Sequence, residues 1–411
     1  MKRRVVITGL GIVSPIGNGK DNYWQALQSG RSGVTEITSF DASAYTSRIA
    51  GVVQNFDLTP YMSKKDIKRS DRFTQFAVVA ARMAFEDSGL DSATMDPYRA
   101  GSIIGSGIGG IHTIEKEHQV LIKDGPSRVS PFFIPMIIVN MASGMAGINL
   151  GLKGPNSCSV TACASGNHCI GEALRIIQHG YAEIMFAGGS EAAISPMGIG
   201  GFCAARALST RNDDPKKASR PFDAQRNGFV MAEGSGIILL EEYEHAKQRG
   251  AEIYAEVIGY GMSCDAYHMT APNPNGEGAI RCMQETLKDA SINPEDVAYI
   301  NAHGTSTMLN DAMETKAIKA VFGERAKKIA ISSTKSMTGH MLGAAGGAEL
   351  AATVLSLSNN LVAPTINYEY PDPNCDLDYV PNKAREVEID IAISNSFGFG
   401  GHNATIAIKK I

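Results

Sequence analysis

One thiol and two imidazoles, far apart in the chain, carry the chemistry this sequence can do. Cys163 lies in the run Ser159-Val160-Thr161-Ala162-Cys163-Ala164-Ser165-Gly166, just ahead of a helical segment. His303 lies in Asn301-Ala302-His303-Gly304-Thr305-Ser306-Thr307, after an apolar run. His340 lies in Lys335-Ser336-Met337-Thr338-Gly339-His340, and a Gly/Ala-rich helix follows. A thiol at a helix start is a ready nucleophile, because backbone N–H groups there favour the attacking thiolate. Imidazoles on glycine-flanked turns can donate N–H to a developing oxyanion. The combination points to thioester chemistry.

Taken alone, Cys163 reads as a small buried hydrophobe and each histidine as structural. The matched pair of histidine turns, together with a glycine turn near the C-terminus, reverses that reading. If a malonyl thioester loses carbon dioxide, an enolate oxygen develops, and each well-placed N–H contributes about 3 kcal/mol to its stabilisation. A metal site is a weaker reading, since no third ligand stands at suitable spacing. Glu349 interrupts an otherwise apolar helix, so it is expected to be buried and paired, with Lys335 as partner. Such a pair would orient the histidines and set their protonation state. The hydroxyls of Thr305, Thr307 and Thr270 suit the amides of an extended pantetheine arm, although a structural turn accounts equally well for each taken singly. In Phe397-Gly398-Phe399-Gly400-Gly401 the glycines free a backbone N–H to point into a site and a ring to swing. Lys64, Lys65, Lys68 and Arg69 form a basic cluster that Arg128 and Arg206 could join. It reads as a solvated face or, with thioester chemistry in view, as a surface for an acidic carrier protein.

The elements that must position these groups alternate between strand and helix. Strands are expected over 5–8, 102–105, 184–187, 237–241, 253–259, 297–301, 329–332, 389–394 and 403–409. Helices are expected over 72–88, 165–178, 244–248, 278–290, 311–321 and 342–358. The alternation implies a layered α/β architecture. No linker divides the 411 residues, and no repeat is visible by residue identity. A similar rhythm does run on either side of about residue 250. The formal net charge of −4 argues against broad nucleic-acid binding. The seven cysteines lack Cys-x-x-Cys spacing, which fits reduced thiols in a cytoplasmic enzyme better than disulfides or zinc. The N-terminus reads as a first strand rather than a signal peptide. The uncharged stretch 131–152 contains Pro135 and several glycines, and reads as a buried or subunit-interface segment rather than a membrane span. Gly105-Ser106-Gly107-Ile108-Gly109-Gly110 matches a dinucleotide fingerprint, but Asp124 sits in a polar turn instead of ending a second strand. A tight turn packed under a pocket is the preferred reading.

At these residues the chain resembles the β-ketoacyl-[acyl-carrier-protein] synthases, in particular their synthase II branch. The similarity runs end to end and is carried by the motifs around Cys163, His303, Lys335–His340 and Phe397–Gly401, with Ala204-Ala205-Arg206-Ala207-Leu208-Ser209. It implies a thiolase-like α/β fold of two pseudo-repeated halves in an α-β-α-β-α arrangement. Residues 1–250 would carry the cysteine and 251–411 both histidines. It implies decarboxylative condensation of a Cys163-bound acyl group with malonyl-carrier protein, in a cytoplasmic homodimer that does not insert into membranes. His303 and His340 would support the enolate, and the N–H groups of Cys163 and Phe399 would form the oxyanion hole. Ile108, Phe202 and Phe397 would line the substrate path, with Phe133 and Ile134 reaching in from the other subunit. Lys335 would be counted with the catalytic groups, and Glu349 and Asp311 would support the site. No cofactor is implied, since the carrier brings the phosphopantetheine arm; a monovalent ion near Asn301 and Glu349 is implied as an option. Met308 and His402 depart from the expected proline and threonine. A thiolase would need a second reactive cysteine in the C-terminal glycine turn, a synthase III would have asparagine for His340, and a silent chain-length partner would lack Cys163. A polyketide-type ketosynthase sharing the triad is the alternative, and a scaffold the remote third.

Overall fold

The computed structural model describes residues 2–411. Ten strands build two five-stranded halves of identical topology. The first half contains β1 (Val5–Ser14), β2 (Ala100–Gly105), β3 (Asn156–Ser157), β4 (Ile184–Glu191) and β5 (Gly234–Glu242). The second contains β6 (Ala255–Cys264), β7 (Tyr299–Asn301), β8 (Ala330–Ser332), β9 (Ile391–Gly398) and β10 (His402–Lys409). The orders are β3-β2-β4-β5-β1 and β8-β7-β9-β10-β6. In each half the second strand pairs in parallel with the third and fourth, and the last strand runs antiparallel to both its neighbours. The halves join where Val6 and Ile7 of β1 pair with Glu256 and Ala255 of β6. The repeat lies in the pairing pattern rather than in residue identity, which explains why no sequence repeat shows.

Between the halves lie α2 (Ser165–Gln178) and α5 (Ala345–Asn359), packed on each other and on strands of both halves. The outer layers carry α1 (Arg72–Asp87) on β1, β4 and β5, and α3 (Glu277–Ala290) on β6 and β10. α4 (Met308–Phe322) packs beside α3. This is the α-β-α-β-α layering of the thiolase-like fold. Strands covered on both faces read as continuous apolar runs, as β5 does with Ile237, Ile238, Leu239 and Leu240 all buried. α5 is buried from Ala345 to Leu357, so its small residues set how closely the layers approach.

The helix at Ser165–Gln178 coincides with its sequence expectation, but other boundaries moved. β1 continues six residues beyond Thr8, to Ser14, through Gly9 and Gly11. A Cβ at Gly11 would lie 1.8 Å from the Ala80 carbonyl oxygen of α1, so glycine there seats a helix instead of ending a strand. The helix expected over 342–358 opens with a 3-10 turn, Leu342–Ala344, before α5. Periodicity missed the helices Lys20–Gln28, Ile111–Asp124, Met141–Leu150 and Pro196–Ala204. Met141–Leu150 and Pro196–Ala204 are Gly- and Met-rich and carry little helical period, whereas Lys20–Gln28 and Ile111–Asp124 are amphipathic and were open to the same reading as Arg72–Asp87. No helix among the described residues is long and apolar enough to cross a membrane.

Candidate active site

Cys163 sits in a 3-10 turn, Ala162–Ala164, that feeds directly into α2. Ala162 adopts φ 51°, a left-handed conformation that costs a non-glycine residue energy and that clusters at functional sites. Ser165 Oγ holds the turn, accepting from Thr161 N at 2.9 Å and donating to the Ala162 carbonyl at 2.8 Å. The second half repeats the device: Leu342 has φ 47° in the turn Leu342–Ala344 that feeds α5. α2 and α5 cross at glycine, since a Cβ on Gly166 would lie 2.9 Å from Gly347 N. That close crossing sets the two elbows side by side, with Cys163 on one and His340 just before the other.

His303 follows β7. Its backbone N–H and that of Gly304 donate to the two carboxylate oxygens of Glu314, each at 2.8 Å. Thr305 N donates to Asp311 Oδ1 at 3.0 Å. The His340 backbone pairs with residues 230–232: its N–H reaches the Val230 carbonyl at 2.7 Å, and its carbonyl accepts from Ala232 N at 2.9 Å. The two rings stand nearly perpendicular with centroids 5.3 Å apart. Leu342 N donates to His340 Nδ1 at 3.3 Å, which leaves the proton on Nε2 as a donor. Cys163, His303, His340 and Phe399 all line one cavity of about 520 Å³.

Electrostatics keeps the resting site neutral. Burial holds His303 well below the usual imidazole range, with Lys335 and then His340 adding to the effect. Burial and then Lys335 do the same to His340. Burial pushes the Cys163 thiol up to about 12, opposed by Lys335 and by the Phe399 backbone N–H. The Lys335 ammonium meets Glu349 in a buried ion pair, and burial outweighs that pairing enough to raise the Glu349 carboxyl. Uncharged imidazoles are N–H donors and proton acceptors, not fixed cations.

Glu314 carries a separate consequence. Burial raises its carboxyl from 4.5 to about 7 even though it accepts from His303 N, Gly304 N and Asn395 Nδ2. A group raised in this way favours the folded state most below pH 4.5 and loses that contribution as pH rises through about 7. The His303 turn needs the opposite form, because a proton on the carboxyl would meet an N–H donor. Condensation should therefore fall as pH drops through about 7. Glu314→Gln should be slow at every pH and lack that acid limb; a pH–rate profile checks both.

The expected substrate residues divide into two groups. Ile108, Phe202, Thr270, Thr305, Thr307 and Phe397 line the cavity. Phe133 and Ile134 do not line it in this chain, and Ile134 is 57% exposed. Phe399 faces Phe202 at 6.3 Å between ring centroids, and its turn is tied by Gly400 N donating to the Met269 carbonyl at 2.8 Å. Gly398 lies so close to the cysteine elbow that a Cβ would come 2.7 Å from the Thr161 carbonyl oxygen. Met308 lines the mouth and is exposed, and the His402 ring rests against Gly400. Asp311 lies beneath the Thr305 turn, outside the cavity. Lys64, Lys65, Lys68, Arg69, Arg128 and Arg206 are all exposed. Arg206 lies on the cavity lining, and Arg69 stacks 4.2 Å from the Phe132 ring centre.

Asn301 Oδ1, Glu349 Oε2, Ser394 Oγ and Ser396 Oγ are buried without a protein partner. Asn301 and Ser394 are register neighbours on β7 and β9, and Asn301 Nδ2 donates to the Glu349 carbonyl at 3.0 Å. Oxygen donors of this kind fit a monovalent cation.

Sequence reasoning missed Glu314, Glu191 and the segment 219–232. Glu191 is fully buried and accepts from Ser106 Oγ, Gly107 N, Ile108 N and Gly343 N. It explains the glycine motif: the turn Ser106–Gly109 wraps a carboxylate and brings Ile108 into the cavity. The helix Ile111–Asp124 then leads to further helices, not to the strand that a dinucleotide site requires. Acids ending an apolar strand (Glu191) or standing one turn after Asp311 (Glu314) were the available signals.

Comparison with known proteins gives this geometry a family. Residues 2–246 match the model "Beta-ketoacyl synthase, N-terminal domain", and residues 254–369 the corresponding C-terminal domain. The chain is 56% identical over 409 residues to 3-oxoacyl-[acyl-carrier-protein] synthase 2 of Synechocystis sp., covering 100% of this chain and 98% of that protein. It is 57% identical over 410 residues to the protein of that name from Coxiella burnetii, covering 100% and 99%. A β-ketoacyl synthase structure from Burkholderia phymatum superposes with TM-score 0.94 at 36% identity, covering both chains fully. A type II polyketide ketosynthase, solved with its acyl-carrier protein and bound to a hexaketide, gives 0.93 at 40% identity, again with full coverage of both chains. With one elbow carrying the thiol, its repeat following an imidazole, and relatives matching over the whole length, this chain belongs to the beta-ketoacyl synthase family.

Proposed function

We propose that the chain condenses an acyl group with malonyl-[acyl-carrier protein] to give 3-oxoacyl-[acyl-carrier protein], carbon dioxide and free carrier, in fatty-acid elongation. The observation that carries this reading is a buried Cys163 sharing one cavity with the rings of His303 and His340. Cys163 sulfur attacks the acyl thioester, and its proton leaves on the carrier thiol. Malonyl thioester then enters past Phe399. Breaking its carboxyl C–C bond releases carbon dioxide and places the electron pair in an enolate. His340 Nε2–H and the His303 ring stabilise the enolate oxygen as charge develops. The enolate carbon attacks the Cys163 thioester. The resulting oxyanion is received by the N–H groups of Cys163 and Phe399, and its collapse expels the Cys163 thiolate. That thiolate takes up one proton to regain the resting thiol, which balances the reaction.

Ile108 and Phe202 hold the acyl chain, and Thr270, Thr305 and Thr307 hold the pantetheine arm. No cofactor is required. A monovalent cation held by Asn301, Glu349, Ser394 and Ser396 would supply fixed positive charge and rigidity beside the histidine turns. The reading includes a cytoplasmic setting, in keeping with seven free cysteines. It also includes a homodimer. Ile114, Ile122, Ile134, Ile148 and Met197 are exposed on helices that pack on one another, an apolar face suited to a second copy. Docked there, Phe133 and Ile134 would reach the partner's cavity.

The basic patch meets an acidic carrier. Lys65→Glu with Arg69→Glu should raise KM for both carrier substrates about 10-fold, leave kcat nearly unchanged and flatten the dependence of KM on salt. Steady-state kinetics at two ionic strengths measures this. The reading as a whole is tested by condensation over acyl-carrier substrates of graded length, with products identified by mass. One-step extension of saturated chains supports it, whereas repeated extension without intervening reduction would favour the polyketide-type alternative.

A further inference from the structure

We infer that Arg226 is a positioning residue for the pantetheine-binding turn: it sets the pitch of residues 305–308 without touching the cavity. The inference rests on the condensation reading above. Arg226 is only 3% exposed and lies outside the cavity lining, although its neighbours Asn227 and Gly228 are part of it. Its guanidinium spans three separate parts of the chain. Nε donates to the Thr307 carbonyl at 3.0 Å and Nη2 to the Met308 carbonyl at 3.2 Å, gripping the start of α4 from the side. Nη1 donates to Asp372 Oδ2 at 2.7 Å and to the Asp223 carbonyl at 2.8 Å. Nε also lies 3.6 Å from Asp311 Oδ2.

Asp311 passes this placement on to the turn. Its Oδ1 accepts from Thr305 N at 3.0 Å, and its Oδ2 accepts from Phe222 N at 2.8 Å. Gly228 N then donates to the Ser306 carbonyl at 3.1 Å. Ser306 has φ 68°, so the turn is held in a conformation it would not choose unaided. On its cavity side, the hydroxyls of Thr305 and Thr307 meet at 2.9 Å. These two side chains line the path of the arm, whereas Cys163 lies on a different element, the start of α2. Loosening the turn should therefore cost arm binding more than chemistry at sulfur.

Arg226→Lys tests this, because the three N–H groups of one ammonium cannot serve three carbonyls and the Asp372 carboxylate spread around a guanidinium. Arg226→Ala would strand two buried carboxylates and is expected to unfold, so Asp372→Asn serves as the second variant. Both should keep a cooperative melt. KM for acyl-carrier and for acyl-CoA, which bear the full arm, should rise about 10-fold. Acylation of Cys163 by an acyl-N-acetylcysteamine thioester, which lacks most of the arm, should change less than about 2-fold. Equal losses for long and truncated donors, or an unchanged KM in both variants, would overturn the inference. The failure of the underlying reading has its own signature: wild-type protein would then form no Cys163 adduct with acyl-carrier at all.

Discussion

Cys163→Ala should form no acyl adduct with acyl-carrier substrate and should lose condensation by at least about ten-thousand-fold. Nothing else in the cavity replaces the sulfur, because the repeated elbow carries Gly343 at the matching point of its turn. The variant should nevertheless release carbon dioxide from malonyl-carrier within about 10-fold of the wild-type rate, since decarboxylation draws on the two imidazoles and not on the thiol. Intact-mass measurement reads the adduct, and labelled carbon dioxide reads the second half-reaction. An adduct surviving the substitution would place the nucleophile elsewhere and end the reading.

His303→Ala and His340→Ala should show the converse pattern. Each removes one donor from the enolate oxygen and should lower condensation by about 100- to 1000-fold. Transfer of the acyl group to Cys163 should stay within about 10-fold of wild type. The double variant should fall short of the product of the single losses, because the two donors act on one oxygen. Since burial and Lys335 hold both rings uncharged, neither should impose a titration near the usual imidazole range. Single-turnover acylation and carbon dioxide release, measured separately, give the split. Equal loss of both steps would recast an imidazole as the base for the thiol.

The sequence was most legible where a residue type carries its reason locally. The helix after Cys163 showed in apolar spacing, and its observed bounds, Ser165–Gln178, agree. Glu349 in an apolar helix announced a buried pair, and Lys335 does meet it. The glycine motif at Gly105–Gly110 reads as a tight turn packed under a pocket, and the structure has such a turn there, but what it wraps was hidden. Glu191 comes to it from a different strand, so only strand pairing places that carboxylate under Gly107 and Ile108. Glu314 and Arg226 escaped because most of their partners are backbone groups, and the side chains they also meet, Asn395 and Asp372, lie far off in the chain.

Residue chemistry and local spacing were thus enough to state what could react: a thiol at a helix start, imidazoles on strand-end turns, and a glycine turn with free N–H groups. Tertiary structure alone decided that these meet. The repeated strand order folds two helices face to face, and their glycines allow the elbows to touch, a contact between residues 166 and 347 that no local pattern encodes. Burial at that crossing, also a property of the whole fold, then sets the thiol and both rings in their uncharged forms.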